Sequence, residues 1–114
     1  MFSKPLVAAS FKPLVLALLS KGETYGYEII QQIQDMSDNR IILKANRLYP
    51  LLHELESQGH VSIRWERNGP GPGRKYYRLT SKGMQAMTQA RQEWFDVHTM
   101  LNNLWGPHPS LSTT

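Results

Sequence analysis

Between Gly59 and Thr80 the hydrophobic period of the chain drops from about 3.6 to 2 and then returns to helical spacing, which constrains the fold more than any other feature. On the near side, Val61, Ile63 and Trp65 alternate with Ser62, Arg64 and Glu66. On the far side, Tyr77 and Leu79 alternate with Arg74, Tyr76 and Arg78. Gly69-Pro70-Gly71-Pro72-Gly73 lies between them. Two alternating runs around a Gly/Pro turn predict a β-hairpin, with the first set of each run facing inward. Trp65 and Tyr77 are therefore expected in the core. A disordered linker would not keep the alternation on both sides. A phosphate-cradling loop is excluded by its chemistry, because the Lys-Ser/Thr of a P-loop is missing and the prolines have no N–H to offer.

Helical patterns flank this hairpin. Ser10 can cap a helix from Phe11, with Pro13 in its first turn, an apolar stripe of Leu14, Val15, Leu18 and Leu19, and Gly22 at its end. Thr24 is a plausible cap for a second helix with the stripe Ile29, Ile30, Ile33 and Met36, closed by Ser37-Asp38-Asn39. The β-branched run Ile41-Ile42-Leu43 reads as a brief strand. Leu48, Leu51, Leu52 and Leu55 fall at i, i+3, i+4 and i+7 of a third helix that Gly59 stops, with Pro50 near its start or kinking it. Thr80 or Ser81 caps a long last helix running to about Leu104. On it Met87, Ala90, Trp94, Val97, Leu101 and Leu104 alternate spacings of three and four, a seam suited to lengthwise packing. Phe95, Met100 and Trp105 lie off that seam, so one small domain can hardly cover the helix. A homodimer through these six seam residues is expected, with packing on the chain's own first helix along another face. The expected fold is mainly α with a small β-hairpin: a winged helix-turn-helix over residues 1–80, a dimerisation helix over 81–105 and a flexible tail over 106–114.

Charge points to a polyanion. From Arg40 to Lys82, nine basic residues face three acidic ones, a local +6 inside a chain of net charge +4. A basic middle in a mildly acidic frame is an electrostatic footprint for nucleic acid, though a solvated charged face has the same composition. The 114 residues contain no cysteine, which excludes disulfides and thiolate metal sites and fits a reducing cytoplasm. The longest apolar run, Leu14 to Leu19, is too short for a bilayer. Lys12 and Pro13 interrupt what would otherwise resemble a signal sequence. His53, His60, His98 and His108 have no metal-ligand spacing, no serine sits in a nucleophile elbow, and Glu54 and Glu56 face different directions on a helix. No enzyme, metal or cofactor is expected.

Three segments carry a family likeness: TYGYEII (24–30), LYPLLHELESQGHV (48–61) and GRKYYRLTSKG (73–83). In this order and spacing they resemble the PadR family of bacterial transcriptional regulators, over about Phe11 to Trp105. The single long C-terminal helix is similar to the short-form members. The resemblance implies a cytoplasmic, dimeric winged-helix repressor of double-stranded DNA, relieved in some members by small aromatic or drug-like ligands. One position departs from the family pattern: the small Gly-Thr or Gly-Ser pair before Leu-Tyr-Pro is here Asn46-Arg47.

By this reading the third helix enters the major groove N-terminus first, presenting Lys44, Asn46, Arg47, Tyr49 and His53. Arg47 is placed either to pair with guanine or to hold a phosphate, and Tyr49 either meets DNA or packs on a neighbouring helix. Arg64, Arg74, Lys75, Tyr76 and Arg78 on the wing are expected to grip phosphates or reach the minor groove. A dimer would address two half-sites of a pseudo-palindromic operator, about one helical turn or a multiple apart. The resemblance also implies that Trp94 lines a ligand pocket between subunits, while plain dimer packing explains it as well. The residues leave one other class open, a winged-helix protein-interaction module without DNA binding.

Overall fold

A computed structural model of the chain describes residues 2–67 and 69–106. The tail at 107–114, with His108, and Asn68 in the hairpin tip lie outside the described residues. The order is α1 (Lys4–Leu19), β1 (Thr24–Tyr25), α2 (Gly26–Met36), α3 (Ala45–Ser57), β2 (Val61–Glu66), β3 (Arg74–Leu79) and α4 (Ser81–Trp105). The three strands form one antiparallel sheet in the order β1-β3-β2. Helices α1, α2 and α3 close over its inner face. Phe11, Val15, Leu16 and Leu19 of α1, Ile29 and Ile33 of α2, and Leu48, Leu52 and Leu55 of α3 meet Val61 and Tyr77 there. Truncating one of these leucines to alanine costs about 2–5 kcal/mol in such a core.

Several local expectations are corrected. Helix α1 starts at Lys4 rather than Phe11, because Pro5 presets the first turn and the Val7 N–H reaches the Ser3 carbonyl at 3.0 Å. Ser10 does not cap; its hydroxyl donates back to the Val7 carbonyl at 2.7 Å. Pro13 therefore lies inside the helix and leaves the Ala9 carbonyl without its helical donor, at an exposed position where solvent can take it. Ile41-Ile42-Leu43 forms no strand. Asp38 and Asn39 turn the chain at φ 52° and 63°, and the Ile41 N–H donates to Ser37 Oγ at 2.9 Å, so the segment is a tight connector that drops Leu43 into the core. The third strand is Thr24–Tyr25 instead, paired with Tyr77 and Tyr76. Met36, at the end of α2, is exposed because the chain turns away before α3 can cover it.

The hairpin has the anticipated faces, with Ile63 opposite Tyr77 and Arg64 opposite Tyr76, but it outruns the core. Exposure on its inner face rises from 3% at Val61 to 65% at Trp65, so Trp65 is not a core residue. At the other end a knot of polar backbone joins β2 to α4. The Thr80 hydroxyl donates to the Gly59 carbonyl at 2.6 Å and accepts from the Gly83 N–H at 3.1 Å, while the Thr80 N–H reaches the His60 carbonyl at 3.0 Å. Helix α4 leaves this knot, packs its first half on α1 and then projects, with every residue from 91 to 105 exposed. The radius of gyration is 16.6 Å, against about 13 Å for a compact chain of this length.

Candidate nucleic-acid interface

Helix α3 turns Leu48, Leu52 and Leu55 into the core, so its opposite ridge must be built from Asn46, Pro50, His53 and Ser57. Of the residues singled out from the sequence, Lys44 is the N-cap, and Asn46, Arg47, Tyr49 and His53 are all exposed. They do not form one cluster. Asn46 and His53 share the ridge. Arg47 leans to one flank, its guanidinium 5.2 Å from the Phe11 ring centre on α1. Tyr49 leans to the other and covers the first residue of α2: a Cβ on Gly26 would lie 2.8 Å from Tyr49 Cζ. A larger residue there would push the half-exposed Tyr49 ring aside, so the close approach gives the TYGY segment a packing reason.

The wing has two unlike faces. One carries Arg64, Glu66, Arg74, Tyr76 and Arg78, joined by Tyr25 from β1. Arg64 is tied down there. Its guanidinium donates through Nε at 3.3 Å and Nη2 at 2.5 Å to Glu23, lies 3.6 Å from Glu66, and stacks 4.8 Å from the Tyr76 ring centre. Tyr76 meets Tyr25 edge-on at 5.6 Å, and Arg74 sits 4.1 Å over Tyr25. The hydrogen bond from Arg64 holds the Glu23 carboxyl below its ordinary range, and Glu23 in turn raises Arg64. Among the described residues, only Arg64 is ion-paired; Arg74, Lys75 and Arg78 have no carboxylate.

The other face continues the core side of the hairpin outward and carries Trp65 and Lys75, which are opposite one another in the register. The Lys75 ammonium lies 5.7 Å from the Trp65 ring centre and 5.9 Å from that of Tyr77. Lys75, Arg74, Tyr49, Tyr27 and Gly26 line a cleft between the wing, α3 and the start of α2. Burial pushes the Tyr77 phenol up, so it stays protonated at the foot of this cleft. Glu23, Tyr25, Gly26 and Trp65 were not foreseen as part of the site. The TYGY motif marked two of them, but nothing in the local pattern tied Glu23 to a strand 41 residues away.

On α4, Met87 and Ala90 are half-buried and Val97, Leu101 and Leu104 are exposed. Trp94 is 43% exposed and straddles the α1 packing line. It borders Leu6, Val7 and Ser10 on one side, and on the other a cleft with Lys12, Pro13, Leu16 and Glu93.

Three helices with a three-stranded sheet, an exposed third helix and a basic hairpin beside it define a winged helix-turn-helix domain. The chain belongs to the transcriptional regulator PadR-like family, whose model matches residues 15–89. A transcriptional regulator from Clostridium thermocellum has a similar structure, at TM-score 0.81 and 28% identity over 90% of this chain and 97% of that one. A PadR family regulator from Eggerthella lenta aligns at TM-score 0.78 and 32% identity, covering 91% and 88%. The negative transcriptional regulator PadR of Bacillus subtilis is 32% identical over 76% of this chain, which spans only 46% of that protein. Its structure in complex with operator DNA matches at TM-score 0.63 and 31% identity, over 68% of this chain and 44% of that one.

Proposed function

We propose that the protein is a sequence-specific DNA-binding repressor that works as a homodimer in the cytoplasm. The observation that carries this reading is the α3 ridge flanked by a wing whose Arg74 and Lys75 line the cleft beside it and, among the described residues, lack carboxylate partners. A duplex that takes the α3 ridge in its major groove brings a neighbouring backbone against the wing. Lys44, Asn46 and His53 then face base edges or phosphates, Arg47 and Tyr49 flank them, and the wing supplies charge without reading sequence. The Bacillus subtilis relative, solved in complex with operator DNA, supports DNA as the partner. No helix among the described residues is long and apolar enough to cross a membrane. The cleft beside Trp94 opens along α4, where a second copy would lie, and supports release by a flat ligand stacking there.

The test is titration of the protein's own promoter fragment with wild type and with an Arg47→Ala/Arg74→Ala variant over a range of salt. Wild-type affinity should fall steeply with salt, and the variant should bind more weakly with a log–log slope smaller by about two. Absence of wild-type binding at low salt, with the protein folded by circular dichroism, would favour a protein-interaction module instead.

A further inference from the structure

The two faces of the wing divide the work, and this inference rests on the DNA-binding reading above. We propose that Trp65 and Lys75, on the face turned toward α3, with Arg74 at the rim of the same cleft, are the wing's contact to the duplex, and that Arg64 and Tyr76 on the other face anchor the wing to the domain. An exposed tryptophan on a polar ribbon needs a reason. Trp65 has 65% of its surface free, and its alternation assigns it to the core side, where the core has already ended. Past the end of the core, that side carries Lys75 into the cleft beside α3 that Tyr49 also lines, with Trp65 directly across the ladder from Lys75. A DNA backbone is the occupant that matches a cationic cleft continuous with a recognition helix. Among the described residues, Lys75 has no carboxylate to release before it meets a phosphate. Its ammonium rests near the indole, so Trp65 stands beside the cation that lines the cleft. The indole then packs on the sugar edge at the minor groove, as apolar side chains do beside basic ones.

The opposite face is already engaged. Arg64 is spread over Glu23, Glu66 and Tyr76, and Tyr76 is wedged on Tyr25. Engaging a phosphate with Arg64 would break the pairing with Glu23 and set a carboxylate beside the DNA. That chain of contacts instead ties the protruding ribbon to the loop before β1, which fixes the angle at which Trp65 and Lys75 are presented.

Two measurements test this. In promoter-fragment titrations, Trp65→Ala should weaken binding on the order of tenfold, and Lys75→Ala should lower the salt slope by about one. Arg78→Ala, on the opposite face, should weaken binding less than Lys75→Ala, because its charge reaches the duplex only at a distance. In a Trp94→Phe/Trp105→Phe background, where Trp65 is the sole tryptophan, DNA should shift its emission and shield it from acrylamide. If wild type binds DNA while Trp65 stays open to acrylamide and Trp65→Ala binds normally, this division of faces is wrong and the DNA reading stands. If wild type binds no DNA, both fall.

Discussion

Two glycines show how single residues set the site. Gly26 leaves room for the Tyr49 ring at the start of α2, which fixes the flank of α3 nearest the wing. Gly83, in the first turn of α4, lies so close to the His60 carbonyl that an added Cβ would come within 2.9 Å of its carbon and of Leu79 Cδ2. Backbone cannot yield as a flexible side chain can. Alanine gains up to about 1 kcal/mol over glycine in a helix, but overpacking of this kind costs about 1–3 kcal/mol. Gly83→Ala is therefore expected to lower stability in urea unfolding, even though the substitution favours the helix itself. A stability equal to or above wild type would mean that the β2–α4 junction opens without cost. Only part of this was legible. The RLTSKG segment marked Gly83 as part of a recurring motif, and Thr80 was identifiable as a cap, which it is. The carbonyl it must avoid comes from His60, 23 residues earlier, and only the folded chain brings the two together.

Among the elements, those whose pattern spans several turns or several cross-strand pairs were readable. The period change located β2 and β3 and their two faces, and the leucine stripe located α3. The short elements were not. Thr24–Tyr25 is two residues long and runs straight into a helix, so no alternation could develop. Ile41–Leu43 had strand-like composition, but the sheet edge was taken by β1 and the segment packed as a connector. The alternation also gave the wing's faces correctly at Trp65 but not its burial, because phase says which side a residue faces and not how far the core extends. The anchor face has a measurable signature in pH. Glu23 has its carboxyl pKa lowered from an ordinary 4.5 by the Arg64 hydrogen bond. Its contribution is thus present above that ordinary value and is lost as pH falls through the lowered one. Both groups are solvent-exposed, so the effect is small and screened by salt. Thermal melts of wild type and Glu23→Gln should differ at neutral pH in low salt and converge as the solution is made more acidic. A constant difference across that range would show that the carboxylate charge is not what holds the wing.

At the scale of the molecule the dominant fact is imbalance. The domain half closes its own core, whereas α4 extends the longest dimension to 58 Å, roughly twice either other axis. Its projecting half exposes Phe95, Val97, Met100, Leu101, Leu104 and Trp105, too much apolar surface to leave to water. The helix seam was foreseen from the alternating spacing, and the structure locates the part of it that α1 leaves uncovered: Met87 reaches the core cluster, whereas Val97, Leu101 and Leu104 do not. In the homodimer proposed above, a second α4 laid along that half would supply the cover, and a stable pair would bury about 800 Å² on each partner. A twofold arrangement also places two α3 ridges on one side, as a palindromic site requires. Val97→Glu/Leu101→Glu changes only positions already exposed in the single chain, so the domain itself should keep its fold. The variant is expected to sediment as a monomer where wild type sediments as a dimer, and to lose most of its operator affinity because two half-sites are no longer engaged together. A wild type that is monomeric at micromolar concentration would leave the apolar end of α4 without the partner assigned to it. A dimeric Glu variant would move the interface elsewhere, to the N-terminal half of α1 that Trp94 borders.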